Sequence, residues 1–351
     1  MTSQAAHLNV HQPWQQWSNE QLLHVASAYS NPFRWRTRRE LFNDFRQQIN
    51  QQPNVKLYVG ELAYGERPFE VTGASANGEA SDAQFRTTAE LFHKENILNE
   101  TVKTFDSDWK YGAIVDGDFT FTRHDWALEA IHQLQHYDFV QLFSTYTDLS
   151  AKGYGGNVPG RVAKSFAQTY IANGHQLPPG WSDPTGFDSG YGYGSGYGGW
   201  QSPGATGGAW AFRRSAFDTV GGLMDQAILG HGDWFMAFGL VSAPLGAQGS
   251  VAERRYHSHY VAMITGWQDR GALLKKNIGV VDQFALHHFH GSKTNRGYES
   301  RDEILVKYQF DPMADIRRNS QGIYELTGNK PGLRDAIRRY FIARQEDGSG
   351  S

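Results

Sequence analysis

Between residues 22 and 148, short apolar runs alternate with segments whose apolar residues recur at helical spacing. This alternation limits the fold more than any other feature. The runs are "LLHVASAYS" (22–30), "NVKLYVGELAYG" (54–65), "YGAIV" (111–115) and "DFVQLFSTY" (138–146). Asn31-Pro32 breaks the first run, and Leu41, Phe42, Phe45 and Ile49 then share one helical face. A polar stretch at 73–84 reads as a loop. "FRTTAELFHKENILNETVKTF" gives a short strand and then a helix with Ile97, Leu98, Val102 and Phe105 on one side, and "HDWALEAIHQLQHY" gives another helix. Such alternation predicts an α/β protein whose central sheet is mostly parallel and flanked by helices.

The run "YGAIV" leads into Asp116-Gly117-Asp118 and then "FTFT". An Asp-Gly pair between apolar runs is a strong hairpin signal. Two aspartates around one residue at a strand end can also hold a divalent cation. A hairpin strand with one wet face alternates apolar and polar residues, whereas "YGAIV" is continuous, as in a strand buried on both sides. Only the downstream "FTFT" alternates. The triplet is therefore expected where a central strand emerges, and ligands of open α/β sheets bind beyond the carboxyl ends of the strands. In extended geometry Asp116 and Asp118 point to one side, and Gly117 leaves the backbone open to close approach. Two carboxylates without sulfur favour a hard cation, Mg²⁺ or Mn²⁺.

Composition narrows the chemistry. The 351 residues contain no cysteine, which excludes disulfides, thiolate metal sites and cysteine nucleophiles. Lys+Arg 33 against Asp+Glu 36 gives a net charge of -3, so no global attraction to nucleic acid follows. No stretch resembles a signal peptide or a membrane span, and a cytoplasmic location is expected.

Further chemistry-bearing residues lie later in the chain. In "HHFHGSKTNRGY", His288 and His290 share one side of an extended stretch, while His287 points the other way and reads as structural. Imidazole suits Mn²⁺ as a third ligand, and Lys293 and Arg296 follow within reach of a diphosphate. Asp233 in "GHGDW" is expected at a helix N-terminus, as a cap or as a general base. Arg34, Arg36, Arg38 and Arg39 crowd the loop "NPFRWRTRR", which suits phosphate, an acidic acceptor or simple solvation. "GFDSGYGYGSGYGGWQSPG" is a lid or a linker, its glycines supplying hinge freedom and its aromatics a surface to close on a ligand. From 206 the chain reads as strand, helix, turn, helix, with Ser215 and Asp218 as a capping box and Gly221-Gly222 as a stop. "GLRDAIRRYFIARQ" forms a last amphipathic helix.

Taken together and in order, "LLHVASAYS", "AIVDGD", "GGAWAFRRSAFDTVGGLMD", "GHGDW" and "HFHGSKTNR" resemble the nucleotide-sugar glycosyltransferases of the GT-A fold over roughly residues 21–300. "FHKENILNE", "DWKYGAIVDGD" and "VQLF" are similar to a bacteriophage-associated subgroup, which would place the enzyme in the host cytoplasm. The resemblance implies a GT-A-type, Rossmann-like sheet. Residues 1–20 would be an arm, 21–150 the nucleotide-sugar-binding half, 151–205 the lid insertion and 206–300 the acceptor-binding half. Residues 301–346 would be a helical extension and 347–351 a vector-derived tail.

The resemblance also implies roles. Asp118 would bind Mn²⁺ (or Mg²⁺) directly, Asp116 the metal or the ribose, and His290 would complete the metal shell. Asp233 would deprotonate the acceptor hydroxyl, whose direct attack would displace the nucleoside diphosphate and invert the anomeric centre. Ser30, Glu61, Arg38, Lys293 and Arg296 would contact the donor, for which a UDP-sugar is expected. Glu61 stands in for the uridine-contacting acid of many relatives, which is not evident after "ASAYS". The expected acceptor is a hydroxymethylated base in DNA. A cell-surface glycan or lipid-linked acceptor is the alternative, and a nucleic-acid- or glycan-binding module without turnover is another.

Overall fold

The computed structural model describes residues 21–73, 81–149, 162–177, 204–243, 255–292, 294–297 and 301–347. The expected N-terminal arm (1–20), Lys293 and the Gly/Tyr-rich span 186–200 lie outside the described residues.

The first half runs β1 (Leu23–Ser30), α1 (Arg36–Asn50), β2 (Val55–Tyr64), β3 (Ala83–Thr87), α2 (Lys94–Val102), β4 (Tyr111–Val115), β5 (Phe119–Phe121) and α3 (Trp126–Gln133). There follow β6 (Phe139–Gln141), β7 (Thr145–Asp148), β8 (Val162–Lys164), α4 (Phe166–Ala172), β9 (Ala209–Arg213) and α5 (Arg214–Val220). The remainder comprises α6 (Gly232–Leu240), α7 (Ser258–Ala272), β10 (Ile278–Val280), β11 (Phe284–His287), α8 (Asp302–Lys307), β12 (Ile316–Arg318), β13 (Tyr324–Leu326) and α9 (Pro331–Ala343).

The central sheet has seven strands in the order β10-β6-β9-β4-β1-β2-β3. Four neighbouring pairs are parallel, and β9 alone runs antiparallel, to both β4 and β6. The sheet is thus mixed but mostly parallel, with helices on both faces. Strand β1 shows why its sequence is continuously apolar. Leu23 and Val25 pack with Phe42 and Phe45 of α1 on one face, while Ala26 packs with Leu98 of α2 and Phe105 on the other.

A second sheet, β5-β11-β7-β8, stands beside the first. The run 138–146, expected as one strand, is divided between the two sheets. Leu142 N donates to Ala209 O, next to the central sheet, and Ser144 N donates to Gln283 O, next to the second. Leu142 and Phe143 are buried at the crossing, so the sequence stays apolar while the backbone changes partners.

Other expectations shift as well. Residues 83 and 84, expected in a loop, begin β3. The hairpin β12/β13 interrupts the C-terminal region expected to be helical. Ser215 is no cap, because α5 starts at Arg214 without a side-chain cap. Gly221 does end α5 at φ 75°, and Gly222 N donates to Phe217 O at 3.0 Å. Asp347, counted with the tail from sequence, is bound at the start of α1. Among the described residues no helix is long and apolar enough to cross a membrane.

Candidate active site

After β1 the chain adds β2 and β3 on one side and then returns to place β4 on the other. The carboxyl ends of β1 and β4 therefore diverge into a crevice, the usual ligand position in an open α/β sheet. A cavity of about 270 Å³ occupies it. Ser30 lines it from the end of β1, Asp116 and Asp118 from the loop after β4, and Asp233 from α6. Arg38, His290 and Arg296 also line it, so seven residues singled out from sequence converge here.

The Asp-Gly-Asp loop is a tight turn but not a hairpin. Phe119 N donates to Asp116 O at 3.2 Å, closing the turn. Yet β4 pairs with β1 and β9, whereas β5 pairs with β11. The turn thus carries the chain from one sheet to the other. Gly117 is required by packing, since a Cβ there would lie 2.4 Å from the Phe42 ring.

The two aspartates face different partners. Asp116 Oδ2 accepts from Lys94 Nζ at 3.1 Å. Asp118 Oδ2 lies 2.8 Å from His290 Nε2 and 3.8 Å from His287 Nε2. Asp118, His287 and His290 each offer a ligand atom, and these atoms lie within 4.8 Å of one another. The ligand-like set therefore differs from the expected Asp116, Asp118 and His290: His287 joins Asp118 and His290, Asp116 turns to Lys94, and the His288 ring points away. Strand alternation holds only to His287, the last residue of β11, and Gly291 at φ 93° then turns the chain. His288 instead sits 2.9 Å from Thr120 Oγ1. His287 is fixed by its parallel neighbour on β7, with Nδ1 2.7 Å from Asp148 Oδ1.

These contacts set the charge states. Burial opposes ionisation of Asp118, but His290 and His287 outweigh it and hold the carboxyl well below its usual range. Burial alone would depress His287, yet Asp118 and Asp148 raise it to about 9. Asp116 moves up, chiefly through burial, against the pull of Lys94. Glu95 rises to about 7, again through burial first, with Lys94 opposing and Asp233 adding to the shift. Lys94 is thus a half-buried ammonium that faces three carboxylates, Asp116, Glu95 and Asp233.

Asp233 lies in the first turn of α6, where Oδ1 accepts from Trp234 N at 2.9 Å. Its Oδ2 rests on the backbone of Gly207, where a Cβ would come within 2.3 Å. Arg38 grips Glu346 through Nε at 2.8 Å and Nη2 at 2.6 Å, and donates to Ser30 O at 3.0 Å. Ser30 Oγ is 2.7 Å from Tyr64 OH. Arg296 is buried, and its carbonyl accepts from Tyr340 OH at 3.1 Å.

Glu61 does not line this cavity. Both its oxygens are taken by residues 70–72, through Glu70 N, Val71 N at 3.0 Å, and Thr72 N and Oγ1 at 2.7 and 2.8 Å. Sequence reasoning missed Lys94, Asp148 and Glu346, and read His287 as structural. "FHKEN" placed Lys94 on a helix but gave no hint that its ammonium meets the end of β4. Only the pairing of β7 with β11 brings Asp148 to His287.

A donor set of one carboxylate and two imidazoles suits a divalent transition-metal ion, Fe²⁺, Zn²⁺ or Mn²⁺, better than Mg²⁺. Asp118 Oδ1 is buried and has no hydrogen-bond partner among the described residues, which leaves an acceptor for such an ion.

Fold and site together define an α/β protein with a carboxylate–histidine cluster at the switch point of a mixed sheet. No family model and no curated protein matches the chain. Among solved structures it is similar to the mannosyltransferase PcManGT from Pyrobaculum calidifontis, in complex with GDP-Man and Mn2+. That likeness has 12% identity, covers 92% of this chain and 70% of that one, and has a TM-score of 0.38. It is also similar to a protein from Desulfovibrio desulfuricans G20 assigned as a nucleotide-diphospho-sugar transferase, at 10% identity over 83% of this chain and 98% of that one, TM-score 0.33. Likeness of this degree assigns no activity.

Proposed function

We propose that the chain is a metal-dependent glycosyltransferase that moves a sugar from a nucleoside-diphosphate sugar to an acceptor hydroxyl. The observation that carries this reading is the Asp118, His287 and His290 set at the carboxyl end of β4, beside Asp116 and within a cavity that also holds Asp233. Asp118, His287 and His290 would hold Mn²⁺, which when bound neutralises charge on the departing diphosphate.

The chain's own residues supply the rest. Asp116, held by Lys94, is placed to accept hydroxyl protons of a ribose or sugar. Arg296 brings a guanidinium to the cavity wall, suited to phosphate oxygens, while Arg38 is held by Glu346 and Ser30 O beside it. Asp233 takes the proton of the acceptor hydroxyl as that oxygen bonds to the anomeric carbon. The bond from the anomeric carbon to the phosphate oxygen breaks in the same displacement, inverting the centre. The donor is read as a UDP-sugar on the glycosyltransferase resemblance, and the acceptor as a hydroxymethylated base in DNA on the phage-like wording alone.

The test is nucleotide release from a panel of UDP-, GDP- and CMP-sugars with Mn²⁺, with and without hydroxymethylated DNA. Mn²⁺-dependent turnover that vanishes in Asp118→Ala is expected. A folded protein that binds Mn²⁺ and turns over no donor overturns the transferase reading.

A further inference from the structure

We propose that residues 344–347 are a working part of the cation site, with Glu346 positioning His290 as Asp148 positions His287. The proposal rests on the metal reading above.

Both histidines are turned in the same sense, His287 by a hydrogen bond behind it and His290 by a longer ion-pair contact. Each turns Nε2 toward Asp118, at 3.8 Å for His287 and 2.8 Å for His290. Each turns Nδ1 toward a second carboxylate: Asp148 Oδ1 at 2.7 Å for His287, and Glu346 Oε2 at 3.8 Å for His290. A carboxylate behind Nδ1 favours the proton there and leaves the Nε2 lone pair for a cation. Asp148 comes from the neighbouring strand, whereas Glu346 comes from beyond α9, far away in sequence.

Glu346 is built into the fold. It is 1% exposed and bound by Arg38 and by Arg344, the latter at 2.8 Å. Two distant features fit the tail that carries it. Helix α1 has no side-chain cap of its own at Trp35, and Asp347 provides one from the other end of the chain, accepting from Arg36 N at 2.9 Å and Thr37 N at 2.8 Å. Gly291, directly after His290, has φ 93°, and a Cβ there would stand 3.1 Å from Glu346 Cα. The turn that presents His290 and the tail that supports it thus touch backbone to backbone.

Mn²⁺ affinity, read from the EPR signal of free Mn²⁺, tests the proposal on the full chain. Wild type is expected to bind saturably and Asp118→Ala to lose binding. Glu346→Gln and Asp148→Asn are each expected to weaken binding about 10- to 100-fold. With Zn²⁺ as a diamagnetic probe, ¹⁵N–¹H spectra should show Nδ1-protonated His287 and His290, and Glu346→Gln should perturb His290 alone. If Glu346→Gln does not fold, Glu346→Asp keeps a carboxylate for Arg38 and Arg344 while drawing it back from His290, and is expected to weaken Mn²⁺ several-fold. Wild type that binds no Mn²⁺ overturns the metal reading and this proposal with it. Wild type that binds, with folded Glu346→Gln or Glu346→Asp within twofold of it, overturns the role of the tail alone.

Discussion

Replacing Glu61 by Gln should destabilise the protein while leaving its cation site intact. Glu61 is 1% exposed within β2, and its Oε2 accepts three donors, Val71 N, Thr72 N and Thr72 Oγ1. Its Oε1 accepts Glu70 N. A glutamine can keep its oxygen where three donors converge, but those bonds lose their ionic character. The difference between charged and neutral bonds is about 1 kcal/mol each. The amide nitrogen must then face Glu70 N, donor against donor, and an unsatisfied buried N–H costs about 1–3 kcal/mol. These losses are not additive, because the 70–72 segment relaxes, so a loss of about 3 kcal/mol is expected. Urea denaturation at neutral pH measures it, paired with Mn²⁺ titration of the folded variant. A loss below about 1 kcal/mol would refute the reasoning from the four bonds. Weakened Mn²⁺ binding at unchanged stability would return Glu61 to the site.

Two further predictions concern the cavity. Gly207→Ala brings a methyl group onto the Asp233 carboxylate, whose Oδ2 must rotate away. Turnover should fall roughly 10- to 100-fold, part of the usual worth of a general base, with Mn²⁺ affinity unchanged. Unchanged turnover would remove Asp233 from that role. The second concerns pH. Glu95 is raised to about 7, chiefly by burial. Between the ordinary carboxylate range and about 7, the folded chain holds more protons on this group than the unfolded chain, so its contribution to stability falls as pH rises. Urea midpoints of wild type and Glu95→Gln should therefore diverge across that window, and parallel profiles would contradict the buried-acid assignment.

Much of the architecture was legible because burial on both faces leaves a plain signature. β1, β2 and β4 were read from continuous apolar runs, and α1 and α2 from periodic faces. The division of 138–146 between two sheets was not legible, since hydrophobicity records burial and not which strand is the neighbour. The candidate site shows the same limit. Asp118 and His290 carried local motifs, so sequence could nominate them. His287 was misjudged because alternation was extended past the end of β11. Glu346 lies in a polar tail, and only Gly291 and the start of α1, distant in sequence, give it meaning.

The antiparallel strand β9 has a consequence for how the chain reaches this state. Ala113 of β4 and Val140 of β6 both pair with Ala211, and among the described residues β4 and β6 have no other strand partner on that side. Without residues 209–213 the described sheet would be two pieces, each with a bare rim of backbone donors and acceptors. Closing that gap joins segments far apart along the chain, which is slow. Rims left open for that long invite pairing between molecules. Recovery from denaturant should therefore decline as protein concentration rises, and the decisive event is arrival of a keystone rather than growth from one edge.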